Sequence, residues 1–149
     1  MIEIKAPYPV DFSKPTLFLS GSIEMGSAEK WQERIVKELK DWDGIILNPR
    51  RDDWDSSWIQ SIDNPQFREQ VEWELKALDQ STHIFMYFDP NTKSPITLFE
   101  LGLSVEDNLI VVCPEGFWRK GNVEIVCSRF GIPLFKNIED GLEELVSLL

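Results

Sequence analysis

Glu100 sits where a charged side chain is hardest to explain. In the segment SPITLFELGL (94–103) it is preceded by Leu98-Phe99 and followed by Leu101-Gly102. A carboxylate among such residues, near the ends of strands, is partly desolvated. That is costly unless something uses it, and perturbed acids of this kind gather at functional sites. Gly102 costs a helix about 1 kcal/mol relative to alanine, so close approach of another backbone or of a ligand would account for it. The plainer reading is a surface glutamate followed by a packing glycine, and composition alone favours it. Other chemistries find less support. The chain has one histidine, His83, and two cysteines, Cys113 and Cys127, with no CxxC pair, so no metal site is expected. His83 opens a strand without a carboxylate partner in sequence and reads as structural. With no secretion signal, the cysteines are expected as reduced core thiols.

The elements that must position Glu100 show as an alternation. Short apolar runs, TLFLS (16–20), GIILNP (44–49), THIFMYF (82–88), LIVVCP (109–114) and GIPLF (131–135), read as buried parallel strands. The first stops at Gly21-Ser22 and the third at Asp89-Pro90. Trp31, Ile35, Leu39 and Trp42 recur at helical period, with Ser27 as N-cap. Pro65 suits the first position of a helix whose buried stripe is expected to be Phe67, Val71, Leu75 and Leu78. Further helices are expected over Ile96–Asp107, within Gly116–Arg129, and along Ile138, Leu142, Leu145 and Leu149. This alternation predicts an α/β domain, a doubly wound five-stranded parallel sheet with helices on both faces, over residues 16–149. Residues 1–15, with Pro7, Pro9 and Pro15, are expected as an N-terminal extended arm, and residues 50–64 as a long loop. In such sheets ligands bind at the carboxyl ends of the strands. Four polar clusters fall there: Gly21-Ser22, Asn48 to Arg51, Asp89 to Pro95, and Pro114 to Asn122.

Charge narrows the partners. The chain of 149 residues carries 26 acids against 15 bases, a formal net charge of −11. That disfavours long nucleic acid, so no polymer partner is expected. A small anion could still meet Arg50, Arg51, Arg119 or Lys120. No apolar run reaches the length of about 18 residues that suggests a membrane span. The first residues lack a signal core, so a cytoplasmic location without a membrane partner is expected.

Five segments, LFLSGSI (17–23), NPRRDDWD (48–55), WELKALDQSTHIFMYFDP (73–90), PITLFELG (95–102) and CPEGFWRKGNVEIVC (113–127), together resemble the nucleoside 2-deoxyribosyltransferase-like family in order and spacing. The resemblance implies a flavodoxin-like fold and cleavage of the N-glycosidic bond of a nucleoside or nucleotide through a covalent glycosyl-enzyme. No cofactor is expected. It also implies a homo-oligomer in which one subunit completes its neighbour's site. Glu100 matches the nucleophile, and Glu74, 26 residues upstream, the acid that orients sugar and nucleophile. Asp89 matches an acid near the base. Gly21, Ser22 and Ile23 match a loop lining ribose and base, and Asn122 an asparagine that a neighbour supplies towards the 5′ end. The family often carries an aspartate shortly before the nucleophile, at places held here by Ser94 and Pro95. Proton delivery then falls to Asp89, Glu74, a water or another group.

Asn48, Arg50, Arg51 and Trp54 complete the candidate substrate-binding set. Trp54 and Trp58 either stack on a nucleobase or anchor their loop. Arg50 and Arg51 either grip a 5′-phosphate or pair with neighbouring aspartates. A carboxylate near the anomeric carbon stabilises oxocarbenium character and can trap the sugar covalently. Attack by a second base gives transfer, and attack by water gives hydrolysis. Two alternatives stand beside this expectation. One is a deoxynucleoside monophosphate N-hydrolase, since GSI after the first strand also resembles those enzymes. The other is a non-catalytic nucleotide-binding or sensing module, in which Ser94 and Pro95 reflect lost proton delivery.

Overall fold

The computed structural model describes residues 1–24 and 28–149. Its elements in chain order are β1 (Ile2–Lys5), β2 (Thr16–Gly21), α1 (Trp31–Glu38), β3 (Ile45–Asn48), α2 (Pro65–Gln80), β4 (His83–Tyr87), α3 (Pro95–Leu103), β5 (Leu109–Val112), α4 (Lys120–Phe130), β6 (Leu134–Phe135) and α5 (Ile138–Leu148). The strands form one sheet in the order β1-β3-β2-β4-β5-β6, and each pairing is parallel.

The sheet has six strands, not the expected five. The extra strand comes from the proline-rich start, where Ile2 pairs beside Ile45 and Lys5 beside Asn48. The prolines there exclude helix but lie after Lys5, so they leave this short stretch free to donate. Without β1, the outer edge of β3 would present unpaired backbone groups. The other five strands follow the flavodoxin-like order, with the switch point between β2 and β4.

Alternate strand residues face opposite sides, and the core divides accordingly. Phe18, Ile84, Met86 and Val111 pack with Trp73 and Ala77 of α2, Leu101 of α3, and Val123 and Cys127 of α4. Leu17, Leu19, Phe85 and Ile110 pack on the other side with Trp31 and Ile35 of α1 and with Ile138, Leu142 and Leu145 of α5. Cys113 and Cys127 are buried free thiols.

Local signals explain several helix ends. Asn64 caps α2 by accepting from Phe67 N at 3.0 Å, with Pro65 in the first position. Asn137 caps α5 through Asp140 N at 2.8 Å. Gly131, left-handed at φ 66°, closes α4. Ser27, the expected cap of α1, lies outside the described residues. For α2 the period is as expected but the phase is not: its buried face is Gln70, Trp73, Ala77 and Leu78, while Leu75 is 40% exposed. Trp73 buries more surface than either Phe67 or Leu75 could, and turning it inward also turns in the polar Gln70 and Glu74. None of the described helices is long and apolar enough to cross a membrane.

Candidate active site

Glu100 lies midway along α3 and is 6% exposed. Pro95 starts this helix just beyond the end of β4, so its first turns lie over the carboxyl ends of the central strands. Ser20, fully buried on β2, donates its hydroxyl to Glu100 Oε2 at 2.6 Å. Burial pushes the Glu100 carboxyl up to about 7, against the opposing pull of the Ser20 hydroxyl. Glu74 reaches the same region from α2. The residue is partly exposed, but its carboxyl is enclosed. Burial first, and then the charge of Glu100, raise it to about 8, while a hydrogen bond from Gln70 opposes the shift. Gln70 Nε2 donates to Glu74 Oε1 at 2.6 Å and to the Pro49 carbonyl at 2.9 Å. Two interacting acids titrate as a pair, and burial favours the protonated form of both.

Beside the carboxyls lies a buried knot of hydroxyls. Ser22 Oγ contacts Ser94 Oγ and accepts from Thr92 Oγ1 at 3.1 Å, and Thr92 and Ser94 meet at 2.7 Å. Ser22 Oγ also accepts from the Asp89 amide at 2.8 Å. Asp89, at the end of β4, is 4% exposed, and each carboxylate oxygen accepts a backbone N–H, Glu29 N at 3.1 Å and Asn91 N at 2.9 Å. Glu24 and Ser94, the non-glycine residues with positive φ among those described, are joined to each other, Ser94 N donating to Glu24 Oε1 at 2.6 Å. Gly21 has φ 148°, and a Cβ there would stand 2.5 Å from the Tyr87 carbonyl oxygen and 2.9 Å from the Trp31 ring. Only glycine fits this crossing of β2 and β4. Ile23 follows, partly exposed.

The polar residues after β3 are engaged within the chain. Asn48 Nδ2 donates to Glu3 Oε1 at 2.8 Å, and Asn48 Oδ1 accepts from Arg50 N at 3.0 Å. The Arg50 guanidinium donates to the Glu29 carbonyl (3.0 Å), the Ala28 carbonyl (3.1 Å) and Gln32 Oε1 (3.3 Å). Arg51 is paired with Asp53 at 2.9 Å and Glu69 at 3.3 Å, and its guanidinium lies 5.0 Å from the Trp58 ring centre. Trp54 packs edge-on to Trp58 at 5.0 Å. Arg119 and Lys93 both lie over Trp118, at 4.4 and 4.5 Å, and Lys120 donates to the Cys113 carbonyl at 2.7 Å.

Asn122 is exposed on α4. It lines a hollow of about 340 Å³ between α3 and α4, with Leu98, Leu101, Gly102, Arg119, Val123 and Val126. Beyond its own helix neighbours, no atom of the described residues comes within 4 Å of a Cβ built on Gly102, so none of them makes the close backbone approach suggested by the sequence. The same two helices carry exposed apolar side chains: Ile96, Phe99 and Leu103 on α3 and Ile125 on α4 are each more than half exposed.

Glu100 and Glu74 are thus neighbours, with Glu100 held on β2 by Ser20, and Asp89 is joined to Ser22 just past the end of that strand, while Asn122 lines the hollow between α3 and α4. Sequence reasoning missed Ser20, Gln70, Thr92 and Glu24. Ser20 had a signal, a hydroxyl at the end of an otherwise apolar strand. Gln70 had one too, one turn before Glu74 on the same helix.

The arrangement defines a flavodoxin-like α/β domain with two enclosed carboxyls beside its switch point. A family model described as nucleoside 2-deoxyribosyltransferase like matches residues 14–117, and the chain belongs to that family. No curated protein matches it.

Proposed function

We propose that the protein cleaves the N-glycosidic bond of a deoxynucleoside and passes the sugar to a second base or to water. The observation that carries this reading is the enclosed pair of carboxyls, Glu100 held by the Ser20 hydroxyl and Glu74 by the Gln70 amide, with burial favouring the protonated form of both. Glu100, with Ser20 aligning one oxygen, attacks C1′ as a carboxylate. The C1′–N bond breaks, and its electron pair leaves on the base nitrogen, which takes the proton of Glu74. A glycosyl ester on Glu100 results. An acceptor base or water then attacks C1′, gives its proton to Glu74, and releases Glu100 as carboxylate.

Glu74 suits proton delivery better than Asp89. Both Asp89 oxygens already accept backbone N–H groups, from Glu29 and Asn91, so Asp89 is assigned to holding the loop between β2 and α1. The monophosphate hydrolase alternative is weakened because Arg50 and Arg51 would each have to give up partners to meet a phosphate. A second copy of the chain is proposed to dock on the apolar face of α3 and α4. With a net charge of −11, like chains repel over most of their surface, and this largely uncharged face is where they can meet. Docking there would carry Asn122 towards the neighbour's sugar.

The test is a panel of deoxynucleosides and their monophosphates, with and without a second base, followed by chromatography beside Glu100→Ala. Base release that disappears in the variant supports the proposal. No turnover, or turnover that the variant retains, moves the weight to a binding or sensing module.

A further inference from the structure

Gln70 is 4% exposed and stands one turn before Glu74 on α2. Its amide nitrogen bonds two oxygens, the Pro49 carbonyl at 2.9 Å and Glu74 Oε1 at 2.6 Å. A side-chain amide nitrogen has two hydrogens, so both are used. The orientation of the amide is fixed as well, because turning it over would set its oxygen against two other oxygens. Gln70 Oε1 is buried and has no partner among the described residues. Leaving an acceptor bare is costly, and here it is offset by what the nitrogen holds. One of those partners belongs to the frame, since Pro49 directly follows β3. The other is a carboxyl of the site.

We infer that Gln70 is a positioning residue for Glu74: anchored on the Pro49 carbonyl, its amide nitrogen aims the Glu74 carboxyl into the site and supplies a hydrogen bond that favours its ionised form. The inference rests on the proposed role of Glu74 as proton donor. Glu100 on α3 is the charge that faces Glu74, and it works in the opposite direction, favouring the protonated form. Gln70 thus lets a proton held by burial and by a neighbouring charge leave when the base needs it. Without the amide, Glu74 would hold its proton more tightly and its carboxyl would be free to rotate.

Gln70→Met keeps the length and volume of the side chain and removes the donor. In this variant the alkaline limb of base release should move up by about one pH unit. The kcat should fall about ten-fold while KM stays within about two-fold. A second measurement does not depend on turnover. Melting followed across the neutral range should show the pH-dependent fall in stability ending about one pH unit higher in Gln70→Met than in the wild type. Glu74→Gln, which lacks that titration, serves as the reference. An unshifted limb, or a loss of stability equal at every pH, would mean that Gln70 only fills space and would overturn the inference. If the wild type turns over no nucleoside, the proposed function fails, and the melting profiles still decide whether Gln70 governs Glu74. Should Gln70→Met not fold, Gln70→Asn replaces it with the same expectations, since its amide is too short to reach both partners.

Discussion

Ser20 and Glu100 are 80 positions apart in the chain, and a single hydrogen bond of 2.6 Å joins them in the interior. Strand β2 and helix α3, with two helices and two strands between them in the chain, meet at that bond. It gives Glu100 a fixed oxygen without supplying a counter-charge. Glu100 therefore stays a moderately basic carboxylate, suited to attacking carbon and to being released again.

Glu100→Ala should lower base release by about three orders of magnitude or more, as expected when a covalent nucleophile is removed. Ser20→Ala should be milder, about ten-fold in kcat, and should shift the acidic limb upward because a hydrogen bond to the ionised form is lost. Steady-state rates against pH check both. Equal loss in the two variants would mean that Ser20 does more than align.

The wild-type rate should rise through an apparent pKa of about 7 and fall through one of about 8, the values to which Glu100 and Glu74 are raised. These limbs belong to the pair rather than to either acid. A rate that keeps rising well above the second value would exclude Glu74 as the proton donor.

Stability should show the same pair. Both acids hold protons more tightly folded than unfolded, so their contribution is fully present below an ordinary glutamate value of 4.5 and is lost as pH rises to about 8. For one proton the slope is about 1.4 kcal/mol per pH unit. Denaturant titrations of wild type and Glu74→Gln would isolate it, because the difference between them should shrink as pH falls towards 5 or below. A difference independent of pH would contradict a buried, protonated Glu74.

Two glycines should answer oppositely to alanine. Gly21→Ala forces a Cβ to 2.5 Å from the Tyr87 carbonyl at an unfavourable φ, and should cost about 3 kcal/mol or more, or prevent folding. Gly102→Ala meets open space and should gain up to about 1 kcal/mol from helix propensity. Thermal melts of the two variants check this.

Light scattering should find an oligomer, and Phe99→Asp with Ile125→Asp should convert it to monomers. A mixture of Glu100→Ala and Asn122→Ala subunits should recover part of the activity that each lacks alone, because some mixed sites carry both intact residues. Monomeric wild type would overturn the shared site.

The sequence carried the alternation, because burial on both faces writes a strand as a continuous apolar run, and the runs at 16–20, 82–88 and 109–114 needed no further context. It carried β1 poorly. IEIK is four residues long, and only its pairing with β3 makes it a strand. The α2 stripe was misphased because a hydrophobic count cannot see that a buried face includes Gln70 and Glu74. A polar residue inside is paired, and its partner is known only once the fold is. Glu100 was legible from its apolar neighbours. Ser20 and Glu24 matter through contacts made far along the chain, and Gln70 showed only by its place one turn before Glu74.

The sheet order also sets how the molecule comes together. Every ladder is parallel, so no two described strands can zip as a hairpin, and each pairing waits for a crossover to close. The central pair is a demanding one: Leu17 to Gly21 must find His83 to Tyr87 with α1, β3 and α2 lying between them. Pairings this remote slow the search for the native state and leave strand edges bare meanwhile. Refolding should therefore be slow for the chain's size and prone to association at high concentration. The arrangement that opens a crevice for a substrate is also the one that is hardest to assemble.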